Sequence, residues 1–157
     1  MSSTTVPPTT QPPIEPIVQP SDIVDYDDRM TVTTITKCRT YMSTNKFILG
    51  YLPNLKTINI GDNCWKTTKT FKLDSLDLLE SVVIGKKSFL GEQVGSSYQI
   101  TNCPKLKSIR IGITSFRNYE SFELNNLPSL QSIDIGNWYC FGYAPSFALT
   151  GLIDGLG

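Results

Sequence analysis

A repeat of about 24 residues is the feature that most limits how this chain can fold. Four segments of the form L-x-x-I-x-I-G, or a close variant, end at glycines separated by 24, 27 and 24 residues: Gly61, Gly85, Gly112 and Gly136. A second short apolar pattern follows each glycine, at Phe71–Leu73, Tyr98–Ile100, Phe122–Leu124 and Phe147–Leu149. Self-similarity at a fixed period is the sequence signature of stacked structural units, so we expect a solenoid.

The alternation of residues predicts two short strands in each coil. Apolar and polar residues alternate through Thr57–Ile60 and again through Thr70–Leu73, the period of a strand with one buried face. Equal spacing places equivalent strands of successive coils side by side in parallel, and the rest of each coil supplies the crossover that parallel pairing needs. A degenerate earlier copy is visible in Ile35, Tyr41, Phe47 and Leu49. The predicted fold is mainly β, with about 4.5 coils.

Two recurring residue types are expected to serve the stacking of these coils. The glycine after each first strand fits a corner that needs either a positive φ or close contact between coils. A large aromatic residue lies four residues after each of the first three glycines and five after the fourth: Trp65, Phe89, Phe116 and Phe141. We interpret these aromatic side chains as core residues.

Composition divides the chain into two regions. Residues 1–20 contain six of the ten prolines, and such a segment buries too little apolar surface to offset its chain entropy. Four aspartates follow without the spacing of a calcium loop: Asp22, Asp25, Asp27 and Asp28. We therefore assign residues 1–29 to a disordered Thr/Pro-rich tail and lead-in, and residues 30–157 to the solenoid.

The repeat resembles a known family. The spacing Leu55-x-x-Ile58-x-Ile60-x-x-Asn63-x-Trp65 is similar to the leucine-rich repeat L-x-x-L-x-L-x-x-N-x-L. Ile-Gly followed shortly by Ser-Phe, as in Ile84-Gly85 and Ser88-Phe89, resembles the BspA-like branch of microbial and protist surface proteins. The asparagine position holds Lys87 and Thr114 in the next two coils, and the second segment of each coil has the pattern of a strand. A leucine-rich-repeat horseshoe and a two-sheet parallel β-solenoid therefore both stay open.

Charge and composition argue against several classes of function. Fourteen basic and fourteen acidic residues cancel, whereas a domain that binds nucleic acid through charge needs a net basic footprint. The chain has no histidine, which removes histidine-dependent catalysis and histidine metal sites. No phosphate-binding glycine loop and no cluster of carboxylates on one sheet face is visible. We predict no catalysis, no cofactor, no metal, no nucleic-acid partner and no membrane span.

The cysteines and the N-terminal sequence bear on the compartment. Cys38, Cys64, Cys103 and Cys140 lie far apart, and we interpret them as small buried thiols, although an even count permits two disulfides. Met1 is not followed by a signal-peptide pattern, and no N-x-S/T glycosylation site occurs. These features favour an intracellular protein, while the BspA-like resemblance implies the cell surface.

The outward positions of the first strands form the candidate site. Leucine-rich repeats bind proteins through their concave sheet, so the resemblance implies a non-catalytic protein-binding module. The expected binding face consists of two columns: Thr57, Ser81, Ser108 and Ser132, and beside them Asn59, Val83, Arg110 and Asp134. The alternatives are a structural or adhesive surface segment of a longer array, which self-associates through uncapped coil ends, and a carbohydrate-binding or carbohydrate-processing β-solenoid.

Overall fold

A computed structural model describes residues 23–39, 45–91, 94–136, 140–141 and 146–152. Within these ranges the chain forms ten β-strands and a single 3-10 turn at Tyr26–Asp28, and no α-helix. The strands belong to two five-stranded sheets, and every strand pairing is parallel. The prediction of a mainly β fold is confirmed.

The two sheets take alternate strands from the chain. Sheet A contains the odd-numbered strands: β1 Thr34–Ile35, β3 Thr57–Ile60, β5 Ser81–Ile84, β7 Ser108–Ile111 and β9 Ser132–Ile135. Sheet B contains the even-numbered strands: β2 Lys46–Gly50, β4 Thr70–Asp74, β6 Ser97–Thr101, β8 Ser121–Leu127 and β10 Ser146–Leu152. Each coil contributes one strand to each sheet. The architecture is therefore a two-sheet parallel β-solenoid of about four turns, and the second segment of each coil is a strand.

The period of the sequence sets the register of the sheets. Ile58 lies beside Val82, Val82 beside Ile109, and Ile109 beside Ile133. The first three of these side chains are fully buried or 1% exposed. Because the inward residues of each strand meet their counterparts in the next coil, the coils share one continuous hydrophobic core.

A tight turn leads into each of the strands β3, β5, β7 and β9. The Leu55 N–H donates to the Leu52 carbonyl at 3.3 Å. The equivalent bonds of the next three coils are each 3.2 Å long: Leu79 to Leu76, Leu106 to Cys103 and Leu130 to Leu127. Proline at the second turn position has the φ that such a turn requires, which explains Pro53, Pro104 and Pro128.

The repeating glycines serve close contact between coils. None of them has a positive φ. A Cβ atom at Gly112 would lie 2.5 Å from the Gly85 carbonyl carbon, and one at Gly85 would lie 2.5 Å from the Gly61 carbonyl carbon. These distances leave no room for a side chain. Of the two roles expected for the glycines, the structure therefore shows coil contact.

Positive φ occurs instead at two residues farther along the same corner. The first is Asn63, Lys87 or Thr114, with φ between 55° and 66°, and the second is the aromatic residue of each coil. A positive φ is unfavourable for bulky residues. The aromatic side chains are nevertheless held there by burial, since Trp65, Phe89 and Phe116 are fully buried. Their interpretation as core residues is confirmed.

The aromatic residues form two adjoining stacks along the solenoid axis. Phe89 lies 5.0 Å from Phe116, and Phe116 lies 5.3 Å from Phe141, with ring planes within 5° of parallel. The second stack contains Phe47, Phe71, Tyr98 and Phe122, with centroid separations of 5.2, 4.8 and 4.8 Å. Edge-to-face contacts join the stacks. Such pairs contribute beyond the area that they bury.

A buried hydroxyl ladder runs beside the aromatic stacks. Ser88 and Ser115 directly precede two of the aromatic residues and are fully buried. The Ser115 hydroxyl donates to the Gly85 carbonyl at 2.6 Å and accepts from the Ser88 N–H at 3.0 Å. The Ser88 hydroxyl likewise donates to the Gly61 carbonyl at 2.9 Å. These bonds satisfy corner backbone groups that would otherwise be buried without partners.

The folded unit begins before the predicted boundary at residue 30. Ile23 and Val24 belong to the hydrophobic core and are only 2% and 3% exposed. These apolar side chains pack against the first coil, so they are not part of a tail. Residues 1–22, the rest of the predicted tail, lie outside the described residues.

The cysteines fall into two groups. Cys38 and Cys64 form a disulfide, with Cα atoms 5.1 Å apart, whereas Cys103 and Cys140 are buried and lie outside this bond. The interpretation of all four as buried thiols is therefore wrong for the first pair. Cys38 is exposed because it lies in the segment before the first complete coil.

The glycine contacts yield a matched pair of substitutions. We expect Gly112→Ala to lower the free energy of unfolding by about 1–3 kcal/mol, because the added methyl group forces neighbouring backbone apart. Gly61→Ala is the control, since a Cβ there meets only Cys64 Sγ, at 3.9 Å, and the change should stay within about 0.5 kcal/mol. Urea denaturation measures both. Equal losses in the two variants would contradict the proposed role of the glycine contact.

Candidate interaction face

The outward side chains of sheet A form a flat surface, which we call the sheet A face. The strand register brings all eight predicted residues together on it. Thr57, Ser81, Ser108 and Ser132 form one row, and Asn59, Val83, Arg110 and Asp134 form a second. Neighbouring members of a row are separated by the strand spacing of about 4.8 Å.

The first row is a line of small hydroxyl groups. Thr57, Ser81 and Ser108 are half-buried, and Ser132 is exposed. Thr34 pairs with Thr57 and adds a fifth hydroxyl, which was not among the predicted residues. The alternation Thr34-Ile35 is the signal that would have found it. Short side chains that suit β-strands give a sheet an even surface. The hydroxyl row is therefore the low, even part of the sheet A face.

The second row is more exposed and changes its chemistry from coil to coil. Asn59, Arg110 and Asp134 are exposed, and Val83 is half-buried. Arg110 Nε lies 3.2 Å from Asp134 Oδ2, and these side chains are 70% and 62% exposed. An ion pair so exposed contributes at most about 1 kcal/mol. Both charged groups therefore stay accessible to a partner.

A third column flanks the hydroxyl row. Lys56, Glu80, Lys107 and Gln131 are exposed. Their main chains are fixed, because the Glu80 N–H donates to the Lys56 carbonyl at 2.8 Å and the Lys107 N–H donates to the Glu80 carbonyl at 2.9 Å. The column thus presents alternating charges at Lys56, Glu80 and Lys107, followed by the neutral amide of Gln131, on a rigid backbone.

On the outward face of sheet B, polar side chains form hydrogen bonds with one another. The Gln99 side-chain amide donates to Glu123 Oε2 at 3.1 Å, and both residues are half-buried. At the adjoining corner the Asn126 amide donates to Asn102 at 2.8 Å, and the Asn102 amide donates to Asp74 at 3.1 Å. These polar groups satisfy one another, which leaves the sheet A face as the stronger candidate.

The groups with perturbed pKa values lie in the core. Burial raises the pKa of the Cys103 thiol to about 12 and raises the pKa values of Tyr98 and Tyr119 above their usual range. The Tyr119 hydroxyl donates to the Thr68 carbonyl at 2.7 Å, and the buried Tyr98 hydroxyl has no partner among the described residues. Shifts of this kind follow from desolvation and mark packing positions.

The described ranges contain no group of three or more Cys, Asp, Glu or His side chains arranged to hold a metal ion. None of their helices has the length and apolar character needed to cross a membrane.

The fold and the face together define a class: a parallel two-sheet β-solenoid repeat protein with a polar, coil-variable sheet surface. Comparison with protein-family models, with curated proteins and with solved structures gave no match.

The two buried tyrosines make an opposed pair of substitutions. We expect Tyr98→Phe to raise the free energy of unfolding at pH 7 by about 1 kcal/mol, because it removes a buried hydroxyl without a partner. Tyr119→Phe should lower it by about 1 kcal/mol, because the Thr68 carbonyl loses its donor. Chemical denaturation measures both. A loss of stability in Tyr98→Phe would contradict the packing described above.

The same tyrosines predict a loss of stability in alkali. Their folded-state pKa values are raised, so the stabilisation is complete below about pH 10, the unfolded value, and declines above it. Each group contributes a slope of up to about 1.4 kcal/mol per pH unit. Replacing either tyrosine with phenylalanine should remove one such contribution between pH 10 and 11.

Proposed function

We propose that this protein is a non-catalytic protein-binding module that acts through the sheet A face. The observation that carries the proposal is the contrast between the rows of that face. The hydroxyl row keeps one chemistry through every described coil, while the row of Asn59, Val83, Arg110 and Asp134 differs at each step. Selective recognition requires side chains that differ from coil to coil, placed on an otherwise even surface.

The rigidity of the face supports binding. Its backbone is hydrogen-bonded on both sides in β3, β5 and β7, so little conformational entropy is lost when a partner is bound. Arg110 and Asn59 are the expected principal contacts. Arginine is enriched among residues that dominate binding energies, and the Arg110 guanidinium is mostly exposed.

The size of the face sets the kind of partner. The four strands β3, β5, β7 and β9, at about 4.8 Å each and with four residues at about 3.3 Å, give roughly 250 Å². A stable protein interface needs about 800 Å² on each side. A partner that binds stably must therefore also contact the flanking column of Lys56, Glu80, Lys107 and Gln131. A partner that contacts the sheet A face alone binds weakly, through a narrow segment of its own chain. We expect this weak binding.

The resemblance to leucine-rich repeats, and to the BspA-like branch in particular, belongs to the same proposal. Its Ser-Phe signature coincides with two features of the core, the hydroxyl ladder and the aromatic stack at Ser88-Phe89 and Ser115-Phe116. These positions recur because each coil must hydrogen-bond the corner carbonyl of the previous coil and bury its aromatic ring. The residues that carry the resemblance are therefore the ones that stack one coil on the next.

A structural or adhesive surface segment is the second candidate, and two observations favour it. Disulfides persist mainly in oxidising compartments, and the Cys38–Cys64 bond therefore favours the cell surface over the intracellular location expected from the N-terminal sequence. In the described part of the chain β9 pairs with β7 alone, and Ile133 and Ile135 are half-buried, whereas Ile109 and Ile111 are 1% exposed. Such an edge is suited to association with further strands.

Replacement of Arg110 tests the proposed face. We expect Arg110→Ala to reduce partner retention at least tenfold, because it removes the exposed guanidinium while costing the fold at most about 1 kcal/mol. Retention is measured by quantitative mass spectrometry of proteins captured from source cells by the immobilised chain, with the apparent Kd then determined for the captured partner.

Lys72→Ala is the matched control, because Lys72 holds the corresponding outward position on sheet B. It should leave retention unchanged, and thermal unfolding should show both variants folded. Retention that survives Arg110→Ala, or that is lost equally in both variants, would contradict the sheet A face and favour the adhesive candidate.

A further inference from the structure

A short segment covers the N-terminal end of the solenoid, and we call residues 23–39 the N-terminal cap. It adds only two residues, Thr34 and Ile35, to sheet A, where every other described strand of that sheet has four. The Lys56 N–H and the Thr57 N–H both donate to the Thr33 carbonyl, at 2.8 and 3.1 Å. The paired stretch between β1 and β3 is therefore half as long as that between β3 and β5.

The cap has a depression in its own surface. A depression of about 210 Å³ lies between the 3-10 turn region and β1. Its walls include the apolar Ile23, Val24, Val32 and Ile35. The coils from β3 onward are instead filled by the aromatic stacks. The cap joins the hydrophobic core through the aliphatic side chains of Ile23, Val24 and Ile35.

The disulfide joins this segment to the body of the solenoid. Cys38 belongs to the cap, and Cys64 lies in the first complete corner, 26 residues farther along the chain. Cys64 is fully buried, but Cys38 is exposed. Next to the bond, Trp65 donates from Nε1 to the Lys37 carbonyl at 3.0 Å and from its backbone N–H to the Arg39 carbonyl. Cys38 is the residue of the disulfide that is exposed to solvent.

We propose that the Cys38–Cys64 disulfide is a redox-controlled latch that holds the N-terminal cap on an otherwise stable solenoid. A protein or small-molecule dithiol is the reductant. Its thiolate attacks Cys38 Sγ and forms a mixed disulfide, while Cys64 leaves as a thiolate and takes up a proton. The second thiol of the reductant then attacks the mixed disulfide. Cys38 and Cys64 end as two thiols, and the reductant ends as a disulfide.

Opening the latch changes the surface of sheet A. When the cap detaches, β3 loses its neighbour β1 and presents a free strand edge over Thr57–Ile60. A free edge is a template for pairing with another strand. The coils of β5 and β7 keep both of their neighbours, because the glycine contacts, the hydroxyl ladder and the aromatic stacks continue from coil to coil. The latch therefore controls one end of the solenoid without unfolding the rest.

Hydrogen–deuterium exchange of the full 157-residue chain tests the latch. Peptide mapping with alkylation should first find Cys38 and Cys64 linked in protein prepared without reductant. We then expect dithiothreitol to raise the exchange rate of cap amides at least tenfold. Amides of β5 and β7 should change less than twofold. Cys38→Ser should reproduce the effect without reductant, and Cys103→Ser, which alters a buried free thiol, should leave the cap protected until reductant is added.

Three outcomes would overturn the proposal. Free thiols at Cys38 and Cys64 before reduction would show that the latch does not form. Unchanged cap exchange after reduction would show that the other contacts hold the cap. Equal acceleration in the cap and in β5 and β7, or failure of Cys38→Ser to fold, would show that the disulfide supports the whole solenoid.

Discussion

Contact between the backbones of successive coils is the constraint on which the rest of the structure depends. At Gly85 and Gly112 the corners approach so closely that no side chain fits between them. This approach aligns the strands of both sheets in register, places the Ser88 and Ser115 hydroxyls on the carbonyls of the preceding corner, and brings the aromatic rings to stacking distance. Each coil is therefore stabilised mainly by its neighbours, as in other repeat architectures.

The same constraint separates the residues that can vary from those that cannot. Inward positions and corners are fixed by what the adjacent coil presents, whereas an outward position meets only its row neighbours and solvent. Asn59, Val83, Arg110 and Asp134 share one geometry and differ in chemistry for this reason. The proposed function uses this freedom, since a rigid solenoid can present a different side chain at each step without any change to its core.

The sequence predicted most of what repeats and little of what does not. Spacing alone gave the parallel pairing, both rows of the face and the burial of Trp65 and Phe89, because each follows from the period. The Cys38–Cys64 disulfide and the burial of Ile23 were missed, because the segment before the first complete coil does not follow the repeat. The sequence also did not predict that Asn63 and Trp65 have a positive φ while Gly61 does not. The distance between the backbones of successive coils decides this, and no residue type specifies that distance.

Solution NMR of isotopically labelled protein tests the coil-on-coil pairing most directly. The account predicts interstrand contacts between backbone protons of residues 24 and 27 apart, as from Ile58 to Val82 and from Val82 to Ile109. Contacts joining β3 to β4 as an antiparallel hairpin, or the sequential pattern of a helix across these segments, would contradict it.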